Sequence, residues 1–327
     1  MITVMVCSDK QEWDDYVVAH DGHPLQLWGW GEVKSAHNWR VDRVFIADEG
    51  AIIGAAQLLI RKLPWPFRSL AYIPRGPITE QQDREAVLDE LAHYAKRTYK
   101  SVALTIEPDE EGELDLEGWH TSSNTILASR TLILDLEQGI DALQAAMSKK
   151  TRQYIRKSSA EQMTIRRVKT KSDLAACLDI YKQTAKRANF ALHDDDYYED
   201  IFDLMGEYSP VFAAYVDGHP VAFLWLAISG QTAFELYGGV TDDGQQLRAN
   251  YALKWYAITK TKEWGISRYD LNGLINDGIS TFKQGFADHD NQLMGTYDRP
   301  LSPLYAVWQR GLPAMKHTVR KIKSLRK

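Results

Sequence analysis

Val211-Phe212-Ala213-Ala214, a turn at Asp217-Gly218, the apolar run Val221–Ile228, Thr232–Gly239, a helical pattern from about Gln246 to Trp264 closed by Gly265, and then Ser267–Leu271 follow one another in the second half of the chain. Periodicity and turn residues predict strand, turn, strand, strand, helix, strand, with the glycine ending the helix. The first half carries the same order. Strand Arg43–Asp48, containing Val44-Phe45-Ile46-Ala47, reaches a turn at Glu49-Gly50 and strand Ala51–Arg61. The bend Leu63-Pro64-Trp65-Pro66 leads to Ser69–Ile73. A helix from about Glu80 to Tyr99 follows, striped by Ala86, Val87, Leu91, Tyr94 and Ala95, and then Ser101–Ile106. Val44 and Val211 mark an offset of 167 residues. The expected fold is therefore mixed α/β, with mixed sheets and one unit duplicated within the chain.

The remaining segments complete the plan. Thr3–Cys7 reads as a strand, and Gln11–Ala19 as a helix capped by Ser8 or Asp9. Leu143–Lys157 reads as one basic helix between the halves; Asp173–Asn189 and Asp194–Met205 read as two more. Pro300, Ser302 and Pro303 break the pattern before a last helix expected to return to the first domain. The expected boundaries are 1–147 plus about 302–327 for domain 1 and 148–301 for domain 2.

Composition bounds the function. Of 327 residues, 44% are hydrophobic and 25% charged, which fits a soluble globular protein of two ordinary domains. No apolar run approaches the ~20 residues of a membrane span, and the N-terminus lacks the pattern of a signal peptide. Two distant cysteines, Cys7 and Cys177, suit a reducing cytoplasm, where the protein is expected to act as a monomer without metal or cofactor. The net charge of −5 hides a segregation. Lys149, Lys150, Arg152, Arg156, Lys157, Arg166, Arg167, Lys169 and Lys171 face one acid, Glu161, and Lys316–Lys327 is basic throughout. Two such segments point to a polyanion or to solvated helix faces.

Three motifs bear on chemistry. In Thr281-Phe282-Lys283-Gln284-Gly285-Phe286 a cation stands between aromatics beside a glycine, which suits a phosphate, a carboxylate or a developing oxyanion. Trp28-Gly29-Trp30-Gly31-Glu32-Val33-Lys34 offers an aromatic floor with a cation at its rim, or a packing anchor. Asp194-Asp195-Asp196 beside His193 reads as a helix start rather than a metal site, since consecutive acids on a helix do not readily converge on one ion.

The repeated unit resembles the GNAT half-fold of acyl-CoA N-acetyltransferases. Its phosphate-binding glycines are missing from both corresponding loops, Asp243–Asn250 and Thr79–Ala86, which disfavours acetyl-CoA chemistry. A fuller set resembles the FemABX family of peptidoglycan-bridge peptidyltransferases. It comprises Trp30–Lys34, Tyr72-Ile73-Pro74-Arg75-Gly76-Pro77, Ala185-Lys186-Arg187 with Phe190, Leu236–Gly239, Tyr251–Trp255, Tyr269–Gly273 and Phe282–Phe286. The resemblance implies two GNAT-like domains, the first for the muropeptide acceptor and the second for the donor. It implies transfer of an aminoacyl group from aminoacyl-tRNA to the third-position side-chain amine of a stem peptide, carried on UDP-MurNAc-pentapeptide or on the lipid-linked precursor. No long charged helical hairpin is legible, which suits the shorter FemX type. By resemblance Lys34 and Arg187 would meet the acceptor diphosphate, with Tyr72 and Arg75 in the same cleft. Tyr237 and Tyr251 would bind sugar or peptide, and Lys283 with Phe282 would serve the tRNA end or the reacting carbonyl. Glu107 is the candidate base, and Lys149, Lys150, Arg152 and Arg156 are the candidate tRNA contacts. An acyl-CoA-dependent N-acyltransferase and a non-catalytic tRNA-binding module are the alternatives.

Overall fold

Residues 2–158, 163–275 and 278–311 are described by the computed structural model of the protein. The basic tail Lys316–Lys327 and the acid Glu161 lie outside the described residues. In chain order the elements are β1 (Ile2–Val6), α1 (Lys10–Ala19), α2 (Trp28–Ala36), β2 (Arg40–Asp48), β3 (Ala51–Lys62), β4 (Ser69–Pro74), β5 (Ile78–Thr79), α3 (Arg84–Tyr99), β6 (Ser101–Glu107), β7 (His120–Thr121), β8 (Arg130–Thr131) and β9 (Ile133–Asp135). There follow α4 (Ile140–Ala146), α5 (Lys149–Ser158), β10 (Thr164–Arg167), α6 (Lys171–Ala188), α7 (Asp195–Met205), β11 (Val211–Val216), β12 (His219–Ser229) and β13 (Thr232–Val240). The chain continues through α8 (Asp242–Gln246), α9 (Ala249–Glu263), β14 (Arg268–Asp270), α10 (Gly278–Gln284), β15 (Asn291–Gln292) and β16 (Tyr297–Pro300).

The chain forms two compact units. Among the described residues, unit 1 takes those of 2–10, 38–127 and 294–311, and unit 2 those of 11–37 and 128–293. This differs from the expected boundaries. Residues 11–37 join unit 2 because α2 packs on α7. Residues 128–147 join it because β9 pairs with β14, with Tyr269 opposite Leu134. The return to unit 1 begins at Met294, ahead of the proline break.

The sheets carry the repeat. In unit 1 the strands run β1-β2-β3-β4-β6-β16-β7; β3 and β4 are antiparallel, α3 crosses over, and β6 returns parallel to β4 with Tyr72 opposite Thr105. In unit 2 the order is β10-β11-β12-β13-β14-β9, and α9 makes the same crossover between β13 and the parallel β14. Each copy is also preceded by a strand and two helices: β1, α1 and α2 before β2, and β10, α6 and α7 before β11. β6 is buried along its whole length, as a strand covered on both faces must be. Val87, Leu88, Leu91 and Ala95 of α3 pack on Val44, Leu58, Ile73 and Leu104 in unit 1. Leu253, Ala257 and Ile258 of α9 do the same with Phe212, Leu224 and Tyr269 in unit 2.

The helix expected over Leu143–Lys157 is two helices. Met147 is extended (ψ 152°), and the Ser148 hydroxyl accepts from Thr151 N at 3.1 Å, starting α5 afresh. The helix expected from Gln246 is likewise preceded by the separate turn α8 and by Arg248 in the left-handed region (φ 57°). Two glycines set close approaches. A Cβ at Gly29 would lie 2.5 Å from Leu204 O on α7, and one at Gly285 would lie 2.3 Å from Thr151 Oγ1 on α5. The Trp-Gly-Trp-Gly motif is thus the contact face of a helix. Gly29→Ala would meet a backbone carbonyl, so it is expected to destabilise the protein by ~1–3 kcal/mol in chemical denaturation. An unchanged midpoint would mean that α2 and α7 do not approach so closely.

Candidate functional site

In unit 2 the hexapeptide Thr281–Phe286 spans the end of α10 and the turn after it, and closes over a buried charge pair. Lys254 on α9 and Glu235 on β13, 4% and 6% exposed, pair at 2.5 Å. The Tyr269 hydroxyl donates to Glu235 Oε1 at 2.9 Å. Burial pushes the Lys254 ammonium below its ordinary pKa, and the Glu235 carboxylate pulls it back up. Phe282 and Phe286 roof the pair, with Lys254 Nζ 5.2 and 5.7 Å from their ring centroids. Tyr251 meets Phe282 edge-on at 4.8 Å and Tyr154 of α5 at 5.0 Å. The Tyr251 phenol is raised above its usual pKa, first by burial and then by Tyr154.

Lys283 points to the loop after β14. Its Nζ donates to Asn272 O at 2.7 Å and Gly273 O at 3.2 Å. That loop is shaped by Asn272, which is left-handed (φ 58°), a conformation Asn tolerates better than most residues. Asn272 Nδ2 donates to Glu235 O at 2.9 Å, its N–H to Asp270 Oδ1 at 2.7 Å, and its Oδ1 accepts from Gly273 N at 2.7 Å. The lysine's position therefore traces back to Glu235. Ser148 N donates to Gly285 O at 3.0 Å, which joins the start of α5 to the same hexapeptide.

Helix α5 buries Thr151, Ile155 and Ser158 and exposes Lys149, Lys150, Arg152, Arg156 and Lys157. Lys150 and Arg248 stand 5.6 and 4.7 Å from the Tyr154 ring, so basic groups border the aromatic cluster. Arg152 has a structural task as well. Its Nη1 donates to the carbonyls of Gln144 (3.1 Å), Ala145 (3.1 Å) and Met147 (2.5 Å), capping the end of α4.

A second cluster in unit 2 holds Lys34. Its Nζ donates to the Tyr197 hydroxyl at 2.6 Å and lies 4.1 Å from the Trp30 ring centroid. Burial pushes the Tyr197 phenol up to about 12, partly offset by the Tyr237 hydroxyl. Tyr237 sits among Tyr181, Tyr198 and Trp225 at 5.2–5.9 Å, and burial raises its pKa strongly. Arg187, in the last turn of α6, donates to Asp242 Oδ1 (2.8 Å) and Val240 O (2.7 Å). Lys34 and Tyr237 thus share a cluster through Tyr197, whereas Arg187 is held by other partners.

In unit 1, Tyr72, Arg75 and Glu107 come together. Burial raises the Tyr72 phenol first and the Glu107 carboxylate adds to it, so the hydroxyl stays protonated and donates to Glu107 Oε2. Glu107 Oε1 accepts from Ile126 N (3.0 Å), Leu127 N (2.9 Å) and Thr296 Oγ1 (2.6 Å). A carboxylate offers about four lone-pair directions, and four donors converge on this one. That fits an anchor joining β4, β6 and the flank of β16, and it argues against the expected role of base. Arg75 is 2% exposed in the left-handed region (φ 49°). A cavity of about 350 Å³ elsewhere in unit 1, between Glu85, Asp89, Trp119, His120 and Arg299, touches none of these residues. Among the described residues no group of His, Cys, Asp and Glu could hold a metal ion.

Glu235, Tyr154 and Tyr197 carried no expectation from the sequence, and Lys254 and Tyr269 entered it only within the motifs of the resemblance. One signal was available: Lys254 lies three residues after Tyr251, on the helix face that meets the sheet.

Comparison with known proteins agrees with this architecture. Residues 9–126 match the FemAB family and residues 145–284 an acetyltransferase (GNAT) domain. Between β13 and α9, α8 carries Asp242 and Asp243 in its first turn and one glycine, Gly244. The lipid II:glycine glycyltransferase of Staphylococcus epidermidis RP62A is 22% identical over 97% of both chains. The alignment spans 409 positions against 327 residues here, so that relative carries segments this chain lacks. The crystal structure of FemX superposes with a TM-score of 0.83 at 21% identity, over 94% of this chain and 100% of that one. A tandem GNAT protein of the clavulanic acid pathway gives 0.53 at 13% identity, over 93% and 99%. The fold is two GNAT-like domains.

Removing one partner of the buried pair leaves the other charge unpaired. Lys254→Met is expected to cost ~3–5 kcal/mol of stability, and Glu235→Leu combined with Lys254→Met to recover most of that loss. Additive losses in the double variant would show that the two side chains are not coupled.

Proposed function

We propose that the chain is a FemABX-type transferase that moves an aminoacyl group from aminoacyl-tRNA to the third-position side-chain amine of a peptidoglycan precursor, carried on UDP-MurNAc-pentapeptide or on the lipid-linked form. What supports this most is end-to-end similarity to glycyltransferases of lipid II, together with a cation and an aromatic platform beside a basic helix in unit 2.

The reaction is aminolysis of an ester. The neutral amine attacks the ester carbonyl, the C–N bond forms, the C–O bond to the ribose breaks, and the amine's proton ends on the ribose oxygen. Lys283, held by two backbone carbonyls, would supply positive charge as the carbonyl oxygen becomes anionic. Phe282 and Tyr251 would stack the terminal base of the tRNA. Lys149, Lys150 and Arg156 would meet its phosphates, with Arg152 adding charge from its capping position. For the acceptor, Lys34 and Arg187 of unit 2 would meet the diphosphate and Tyr237 the sugar or peptide; within unit 1, Tyr72 and Arg75 are the acceptor candidates, with Glu107 as a positioning residue that orients Tyr72. No side-chain base is required, since an activated ester can react by positioning alone.

The test is transfer of label from a pool of charged tRNAs to the lysine-containing nucleotide precursor, and then to the lipid-linked one. Label on neither acceptor would overturn the reading. Lys283→Ala is expected to lower kcat by ~10²-fold, as loss of one oxyanion-stabilising group does. Lys34→Ala should raise the acceptor KM and leave donor binding unchanged; equal loss for both substrates would remove Lys34 from the diphosphate. Converting Lys149 and Lys150 to Glu should weaken tRNA binding and reduce its salt slope by about 1 for each phosphate no longer neutralised. An unaltered slope would place the tRNA elsewhere.

A further inference from the structure

The β3–β4 loop of unit 1 ends in a tight tip. Leu63 N donates to Arg68 O at 2.8 Å and Phe67 N to Pro64 O at 3.0 Å, leaving Trp65 at the apex, 89% exposed. The tip stands on a firm base. The Phe67 ring packs 5.4 Å from Trp308, and Leu63, Leu70, Leu304 and Tyr305 join that contact over Val102 and Ala103. Val307, 58% exposed, follows in the same helical segment as Trp308 and Arg310.

The charged side chains of the loop and of the helical segment beneath it have one sign. Lys62 and Arg68 flank the tip and are exposed, as is Arg310. No Asp or Glu occurs from Ala51 to Thr79 or from Pro300 to Lys327, although the whole chain is acidic. An indole left in water forgoes ~1.5–3 kcal/mol of burial. Indole rings favour the boundary between headgroups and acyl chains, and cations around them favour anionic headgroups. A nucleic acid could use the cations and stack on one ring, but it has no use for Val307 or for the prolines beside Trp65; a lipid surface takes all of them.

We propose that this face of unit 1 docks on an anionic phospholipid surface, with Trp65 inserted at the headgroup boundary and Lys62, Arg68 and Arg310 against the headgroups. The inference goes beyond the transfer reaction and does not depend on it. Docking of this kind would present the protein to substrates carried on lipid.

The experiment is co-sedimentation of the full chain with phosphatidylcholine vesicles, with and without phosphatidylglycerol. The wild type is expected to pellet only with the anionic vesicles and to be released by salt. Trp65→Ser should weaken binding ~10-fold, and Lys62→Ala with Arg68→Ala by ~5-fold for each charge. As Trp65 and Lys62 are exposed, the variants should keep the wild-type thermal midpoint. Absence of binding to the anionic vesicles, or equal binding by Trp65→Ser, overturns the proposal. So does loss of tRNA affinity in Trp65→Ser with vesicle binding intact, which would assign the face to nucleic acid. Transfer to the nucleotide-linked acceptor, measured in the same variant, should be unaffected, so failure of docking is distinguishable from failure of the transferase reading.

Discussion

The pair formed by Lys254 and Glu235 is the constraint from which much of unit 2 follows. Two charges this deep in the protein lose their hydration, and their attraction does little more than offset that cost. What the ion pair adds is direction. It fixes α9 against β13 and, through Tyr269, against β14. It gives Phe282 and Phe286 a cation to cover. The backbone carbonyl of Glu235 then holds Asn272, whose own carbonyl holds Lys283. A lysine ammonium on its own stem rotates freely, and here the stem is aligned from below by the Asn272 and Gly273 carbonyls.

The two units keep this logic with different residues. At the end of the last parallel strand of each repeat stands a buried carboxylate: Glu107 on β6 and Asp270 on β14. Each accepts from a threonine hydroxyl beside the strand that extends the sheet, Thr296 next to β16 and Thr131 next to β9. Each also accepts from backbone N–H groups of a nearby loop, Ile126 and Leu127 in one case and Asn272 in the other. The repeat extends from the order of strands to the hydrogen bonds that close them.

Much of the architecture was legible because it rests on periodicity. The strand pairs around Glu49-Gly50 and Asp217-Gly218 and the crossover helices announce themselves by apolar spacing and turn residues. The interruption at Met147-Ser148 did not, since both flanks are good helix formers and the break is set by the Ser148 cap and its contact with Gly285. The site was legible as residue types and not as roles. A lysine on an amphipathic helix looks solvated unless its partner, nineteen positions away on a strand, is known. Glu107, after an apolar strand, resembles a base until the four donors around it are seen; three of them lie beyond residue 125.

The position of β16 bears on how the chain is made. It lies between β6 and β7 in the sheet of unit 1, yet among the described residues it is the last strand in sequence. As the chain leaves the ribosome, β1 to β6 can pair early. The hydrogen-bonding edge of β6, and the Thr296 that Glu107 requires, stay unmatched until about residue 300 has emerged. Unit 2 depends on nothing later than Leu293. The nested unit can therefore be complete while the unit enclosing it still has an open strand edge, the kind of surface on which unfinished chains aggregate.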